Sequence, residues 1–160
     1  MFGFLKKKAN KLEVFSPLDG EAVNITKVKD AVFSEKMLGD GVAVIPSSGK
    51  IYAPIDGVLV KVFGTKHAYA INTESGLELL IHCGIDTVEL GGEGFVAHKE
   101  SGATVQKGDL IAEMDLELIA SKGKDLVTPI VITNFQDFEN LVGQEGQVKA
   151  GDLLFSVEKK

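Results

Sequence analysis

Two short segments of this chain each occur twice. Ser16-Pro17-Leu18-Asp19-Gly20 followed by Val23 is echoed by Ala53-Pro54-Ile55-Asp56-Gly57 followed by Val60. Val105-Gln106-Lys107-Gly108-Asp109-Leu110 is echoed by Val148-Lys149-Ala150-Gly151-Asp152-Leu153. Asp-Gly is a tight-turn signal, and proline presets the chain just before it. The second pair reads as strand, turn at Gly-Asp, strand. Hairpins do reuse the same few residues, but here the same turn and strand order recurs around each copy, which points to a pseudo-duplicated β architecture. The intervening apolar runs are short and often alternate. Valines occupy every second position in Val58-Leu59-Val60-Lys61-Val62, and Leu153, Phe155 and Val157 share one face of the last run. Short alternating runs bounded by frequent turns, in a chain with 18 glycines, specify an all-β antiparallel sandwich or barrel. Two stretches carry helical spacing instead: Leu116, Ile119 and Ala120 after a cap at Asp115, and Phe135, Phe138, Leu141 and Val142 after Asn134.

The chain has 160 residues, 44% of them hydrophobic, enough for one sizeable core and too few for two. The body is expected over 14–160 as a single domain, with 1–13 a flexible N-terminal segment. The formal charge of −6 and the absence of a basic stripe argue against a nucleic-acid scaffold. Every basic residue other than histidine is lysine, so arginine readout of bases and an arginine finger in cis are excluded. An acidic surface suits a basic protein partner, whose approach it steers. Cys83 is the one cysteine and cannot form an internal disulfide; with no signal-peptide pattern, the expectation is a reducing cytosol. The opening Met1–Lys8 stretch, MFGFLKKK, reads as a frayed terminus kept soluble by lysines. The alternative is a weak membrane-surface foot, with Phe2, Phe4 and Leu5 dipping in while Lys6, Lys7 and Lys8 meet anionic lipid.

Three histidines offer chemistry. His82 ends the run Leu77-Glu78-Leu79-Leu80-Ile81-His82-Cys83-Gly84, where strand alternation puts Glu78, Leu80 and His82 on one face. His67 lies in Thr65-Lys66-His67-Ala68-Tyr69-Ala70-Ile71, with Thr65, Tyr69 and Ile71 as its expected face mates. Asn72 to Gly76 reads as the turn between them, so antiparallel pairing would bring both imidazoles to one surface. A histidine nucleophile must be neutral at the attacking nitrogen, with the other nitrogen tied down to fix the tautomer. A second imidazole can donate a hydrogen bond to phosphoryl oxygens as charge builds up, and Thr65 could orient that ring. Phosphoryl transfer depends mostly on positioning and electrostatics, and no Gly-Lys-Ser/Thr loop is present for direct use of ATP. A lone histidine in an apolar strand is more often a hydrogen-bonded core residue than a catalyst, and the pattern alone leaves that reading open. His98 reads as a solvated loop or edge residue, and Cys83 as a small buried hydrophobe.

Metal binding competes for paired histidines. His67 and His82 supply two ligands, and Asp86 or His98 would have to complete the set without any compact spacing to announce it. No intrinsic metal or other cofactor is therefore expected; a zinc shared with a partner protein stays open. Two other classes fit less well. A biotinyl or lipoyl carrier needs a modified lysine at a hairpin tip, for which Lys36 is the nearest candidate. A zinc hydrolase on a related β fold usually needs a His-x-His pair, which is absent.

Gly-Thr-Lys-His-Ala (64–68), Ile81-His82-Cys83-Gly84-Ile85-Asp86-Thr87-Val88-Glu89-Leu90 and Gly92-Glu93-Gly94-Phe95 together resemble the glucose-type enzyme IIA of the bacterial phosphoenolpyruvate-dependent sugar phosphotransferase system. Further matches are Val32 to Gly41 and Thr128-Pro129-Ile130-Val131, so the resemblance runs from about Val14 onward. It implies a β-sandwich of the duplicated barrel-sandwich type. It implies that His82 accepts phosphate on Nε2 from the histidine phosphocarrier protein HPr and gives it to the IIB domain of a sugar permease. His67 would stabilise the phosphoryl group, Thr65 would support His67, and the Gly84 carbonyl would fix the His82 tautomer. An apolar collar for docking would comprise Val32, Phe33, Met37, Leu38, Phe63, Leu80 and Val88, with Asp86 and Glu89 at its rim. Cys83 departs from the phenylalanine of many relatives. Regulatory partners of some lineages are not carried over, and the chain, with no appended IIB or IIC region, is expected to be a free-standing IIA or an excised domain, with Met1 favouring the former.

Overall fold

The repeated Pro-containing turns lie against one another, joined by backbone hydrogen bonds. The computed structural model describes residues 11–160. Its strands are β1 (Lys11–Phe15), β2 (Gly20–Asn24), β3 (Asp40–Pro46), β4 (Lys50–Tyr52), β5 (Gly57–Val62), β6 (Ala68–Asn72), β7 (Glu78–His82), β8 (Phe95–Ala97), β9 (Ala103–Val105), β10 (Leu110–Met114), β11 (Thr128–Ile132), β12 (Phe138–Gly143), β13 (Gly146–Val148) and β14 (Leu153–Lys159). Two short helices, α1 (Ala31–Ser34) and α2 (Leu116–Ser121), and three single 3-10 turns complete it. All strand pairs are antiparallel: an eight-stranded sheet in the order β13-β2-β3-β11-β7-β6-β5-β9, and two three-stranded sheets, β1-β14-β12 and β4-β10-β8. This is the expected all-β antiparallel sandwich with short helices.

The duplication is written in the hydrogen bonds. Asp19 Oδ1 accepts from Ala150 N at 2.8 Å, and Asp56 Oδ1 accepts from Lys107 N at 2.7 Å. Ser16 N donates to Asp152 O, and its counterpart Ala53 N donates to Asp109 O. The two copies even exchange equivalent bonds, Phe15 N to Pro54 O and Tyr52 N to Pro17 O. Gly20 and Gly57 occupy the same place because a Cβ there would stand 2.1 Å from Ile45 O and 2.5 Å from Asn72 O respectively.

The main core lies between the sheets and includes Leu18, Leu59, Tyr69, Ile71, Ile81, Ile111, Ile130 and Phe155. A second apolar cluster, Ile25, Val28, Phe33, Ala43, Ala68, Leu80, Ile85, Val127 and Val131, covers the outer face of the large sheet. The period of two separates the clusters: Leu79 and Ile81 face in while Leu80 faces out, and Ile130 and Ile132 face in while Val131 faces out. α1 lies over this outer cluster through Phe33. Among the described residues no helix is long and apolar enough to cross a membrane.

Several details differ from the simplest reading of the sequence pattern. β1 starts at Lys11, not Val14, because Lys11 and Leu12 pair with Glu158 and Val157 of β14; residues 1–10, with the expected frayed terminus and its alternative, a membrane-surface foot, lie outside the described residues. In β5 it is Leu59 that is buried, while Val58 and Val60 are exposed. A register shift between Leu59 and Lys61 breaks the alternation. In β14 both faces are buried through Ser156, because Leu154 also reaches the core. The helix expected after Asn134 is a 3-10 turn followed by β12. Asn134 does not cap it: its Oδ1 accepts from Glu78 N at 3.0 Å and its Nδ2 donates to Gly76 O at 2.8 Å. The other helix forms as α2, capped by Asp115 Oδ1 accepting from Leu118 N at 3.1 Å. Its buried residue is Ile119, and Ala120 is exposed.

Candidate functional site

Antiparallel pairing of β6 with β7 sets Ala68 opposite His82, through a turn in which Thr73 N donates to Leu77 O. His82 shares its face with Leu80 and so emerges over the outer cluster. His67 precedes β6. Lys66, at φ 58°, turns the chain there, and the Tyr69 hydroxyl donates to the Lys66 carbonyl at 2.9 Å to hold that turn. His67 therefore does not share a face with Tyr69 and Ile71, which lie in the main core. Its ring meets the ring of His82 edge-on, with centroids 5.1 Å apart.

Each imidazole is tied at Nδ1. His82 Nδ1 lies 2.7 Å from the Gly84 carbonyl, and His67 Nδ1 lies 2.5 Å from Thr65 Oγ1. Phe33 packs on His82 at 5.0 Å and Phe63 on His67 at 5.5 Å between ring centroids. The backbones are joined as well, Cys83 N donating to the His67 carbonyl at 2.7 Å. Burial is the main cause that lowers the pKa of both rings. For His67 the neighbouring His82 adds to the lowering; for His82 the Gly84 carbonyl, Asp30 and Asp86 oppose it without reversing it. Both rings are therefore mostly neutral at neutral pH. A carbonyl can only accept, so neutral His82 carries its proton on Nδ1 and leaves the lone pair on Nε2. The arrangement supplies a nucleophilic nitrogen of fixed tautomer beside a second imidazole.

Around the pair, Val32, Met37, Leu38 and Val88 are exposed apolar residues, Met37 at 71% and Val88 at 52%. Phe63 is half-buried, and Asp86 and Glu89 are exposed. Phe33 and Leu80 differ from the expected collar: at 3% and 8% exposure they are buried members of the outer cluster, together with Ile85. Glu89 is joined to Lys124. Asp30 was not singled out from the sequence. It caps α1 by accepting from Val32 N at 2.9 Å, and its charge acts on His82. Its only sequence signal is a cap position before an apolar run, and nothing there relates it to a histidine on another strand.

The remaining candidates lie apart. His98 sits beyond β8, its Nε2 2.7 Å from Glu113 Oε2 on β10. Cys83 is fully buried, and burial pushes its thiol pKa far up. Among the described residues no three His, Cys, Asp or Glu side chains come together as metal ligands. Lys36 follows α1 rather than occupying a hairpin tip, and its Nζ lies 3.6 Å from Asp40 Oδ2.

Comparison with known proteins gives the family. The sequence profile of the family described as phosphoenolpyruvate-dependent sugar phosphotransferase system, EIIA 1, matches residues 12–138. A curated relative, the PTS system glucose-specific EIIA component of Haemophilus influenzae, is 46% identical over 160 residues, spanning 100% of this chain and 96% of that protein. The solved glucose permease IIA from Mycoplasma capricolum superposes with a TM-score of 0.87 at 41% identity, covering 91% of this chain and 95% of that one.

Proposed function

The chain belongs to the EIIA 1 family of the phosphoenolpyruvate-dependent sugar phosphotransferase system and is a phosphocarrier of that system, and we propose that His82 is the residue that carries the phosphoryl group. The observation that carries this reading is the Gly84 carbonyl 2.7 Å from His82 Nδ1, which leaves Nε2 as the nucleophile. The donor is phospho-HPr. The Nε2 lone pair attacks phosphorus, the phosphorus–nitrogen bond of the donor breaks, and its electron pair returns to the donor imidazole. The proton stays on Nδ1 throughout, donated to the Gly84 carbonyl. His67, oriented by Thr65, donates to the phosphoryl oxygens as charge develops, which makes the chain a protein-histidine phosphotransferase. The acceptor is a IIB domain, which docks on the apolar collar with Asp86 and Glu89 at its rim. The reading asks for no resident cofactor, because the phosphoryl group arrives already activated. It places the chain in the cytosol, where Cys83 stays reduced and the phosphoryl donor is found.

The test is incubation with phosphoenolpyruvate, enzyme I and HPr, followed by peptide mapping by mass spectrometry. One acid-labile, base-stable phosphate on the peptide containing His82 supports the reading. Unmodified protein beside fully charged HPr rejects it.

A further inference from the structure

The Gly84 carbonyl can fix the His82 tautomer only if it points at Nδ1, and Gly84 is the residue type least able to hold its own direction. Its φ of +79° lies in the left-handed region. The carbonyl shares a rigid peptide plane with the N–H of Ile85, and that N–H donates to the Asp125 carbonyl at 2.9 Å. Holding one end of this plane therefore aims the other. The preceding peptide is held as well: Thr87, with no exposed surface, donates its hydroxyl to the Cys83 carbonyl at 2.6 Å. Asp125 fixes its own loop by accepting from Val127 N through Oδ1 at 3.0 Å. Both crowd residue 84, since a Cβ there would stand 2.6 Å from Thr87 Cγ2 and 3.0 Å from Asp125 O.

We propose that Thr87 and Asp125 are positioning residues, which clamp the peptides on either side of Gly84 and so decide which nitrogen of His82 carries the proton. Neither touches the imidazole; both act through the carbonyl that does. Only the kinetic consequence rests on His82 being the phosphoryl acceptor, because the tautomer is read without phosphate.

Two-bond proton–nitrogen correlation spectra of the imidazoles, recorded on unphosphorylated full-length protein in alkaline solution, test this. Wild type is expected to be protonated at Nδ1 of His82 alone. Thr87→Val keeps the shape, removes the donor and leaves the Cys83 carbonyl without that partner. It should show a second population protonated at Nε2 and accept phosphate about tenfold more slowly, the effect typical of groups that orient a working histidine. Thr87→Ser retains the hydroxyl and should restore both readouts, while Asp125→Ala should shift the tautomer in the same direction by less. A folded Thr87→Val with the wild-type spectrum, or a Thr87→Ser displaced as far as Thr87→Val, overturns the proposal. If Thr87→Val does not fold, Asp125→Ala decides: a second tautomer supports the clamp, and the wild-type spectrum overturns it. A wild-type chain protonated at Nδ1 that accepts no phosphate would instead sink the role given to His82 and leave the clamp standing.

Discussion

His67 and His82 stand 5.1 Å apart between ring centroids, and each holds a hydrogen bond at Nδ1, but the partners differ in kind. His82 faces a backbone carbonyl, which only accepts. His67 faces the Thr65 hydroxyl, which both donates and accepts. The first ring is therefore confined to one neutral tautomer with its lone pair on Nε2. The second can exchange tautomers by rotation of a hydroxyl, and so can present an N–H at Nε2 when Thr65 donates to Nδ1. Two identical side chains on one hairpin are given unequal chemistry by the atoms behind them: one suits a nucleophile, the other a donor to charge that develops beside it.

Substitution at the two rings should break the comparison most strongly. His82→Ala removes the nucleophile and should abolish phosphate acceptance from phospho-HPr, measured by intact mass. His67→Gln keeps a donor of similar reach. It should still accept phosphate, but pass it to a IIB domain roughly 100-fold more slowly, the scale of losing one preorganised donor. Equal loss of acceptance in both variants would remove the division of roles. Thr65→Val takes away only the group behind His67, and should slow onward transfer about tenfold with acceptance nearly unchanged; rapid-quench kinetics of the two half-reactions would separate these effects.

The smallest effect is on pH dependence. Both rings have pKa values lowered from 6.5, chiefly by burial. With the folded value below the unfolded one, the unfolded chain binds more protons between the two. Stability is then full above the unfolded pKa and falls as pH drops through that window toward the folded values. For the same reason His82 should remain more than half neutral at pH 6.5, and acceptance there should exceed half of its alkaline plateau. A half-plateau at or above that pH, in rates or in an imidazole titration, would contradict the assigned environment.

Much of this was legible in the sequence because it rests on local rules. Strand parity put His82 on a face with Leu80, and the turn before Gly76 brought His67 back beside it. The paired Asp-Gly and Gly-Asp turns gave away the duplication. What was not legible depends on register and on long-range partners. Phe138, Leu141 and Val142 have helical spacing only because Asn140, at φ 55°, sits in a bulge that shifts β12 against β14 between Glu139 and Val142. The shift in β5 likewise sets Val62, unlike Val58 and Val60, against the main core with Leu59. Asp30, Thr87 and Asp125 carry no signal that links them to the His82 tautomer, since their contacts run across a distance in sequence or through backbone atoms. Phe33 and Leu80 read in sequence as part of an exposed collar and are buried, because apolar character does not distinguish a rim from its floor.

The central claim is that the carbonyl behind His82 dictates where phosphate is carried. Nitrogen–phosphorus correlation on the phosphorylated, nitrogen-15-labelled protein tests it most directly. The account predicts one phosphate bonded to Nε2 of His82, with a proton retained on Nδ1. Phosphate on Nδ1 of His82, or on His67, would contradict it.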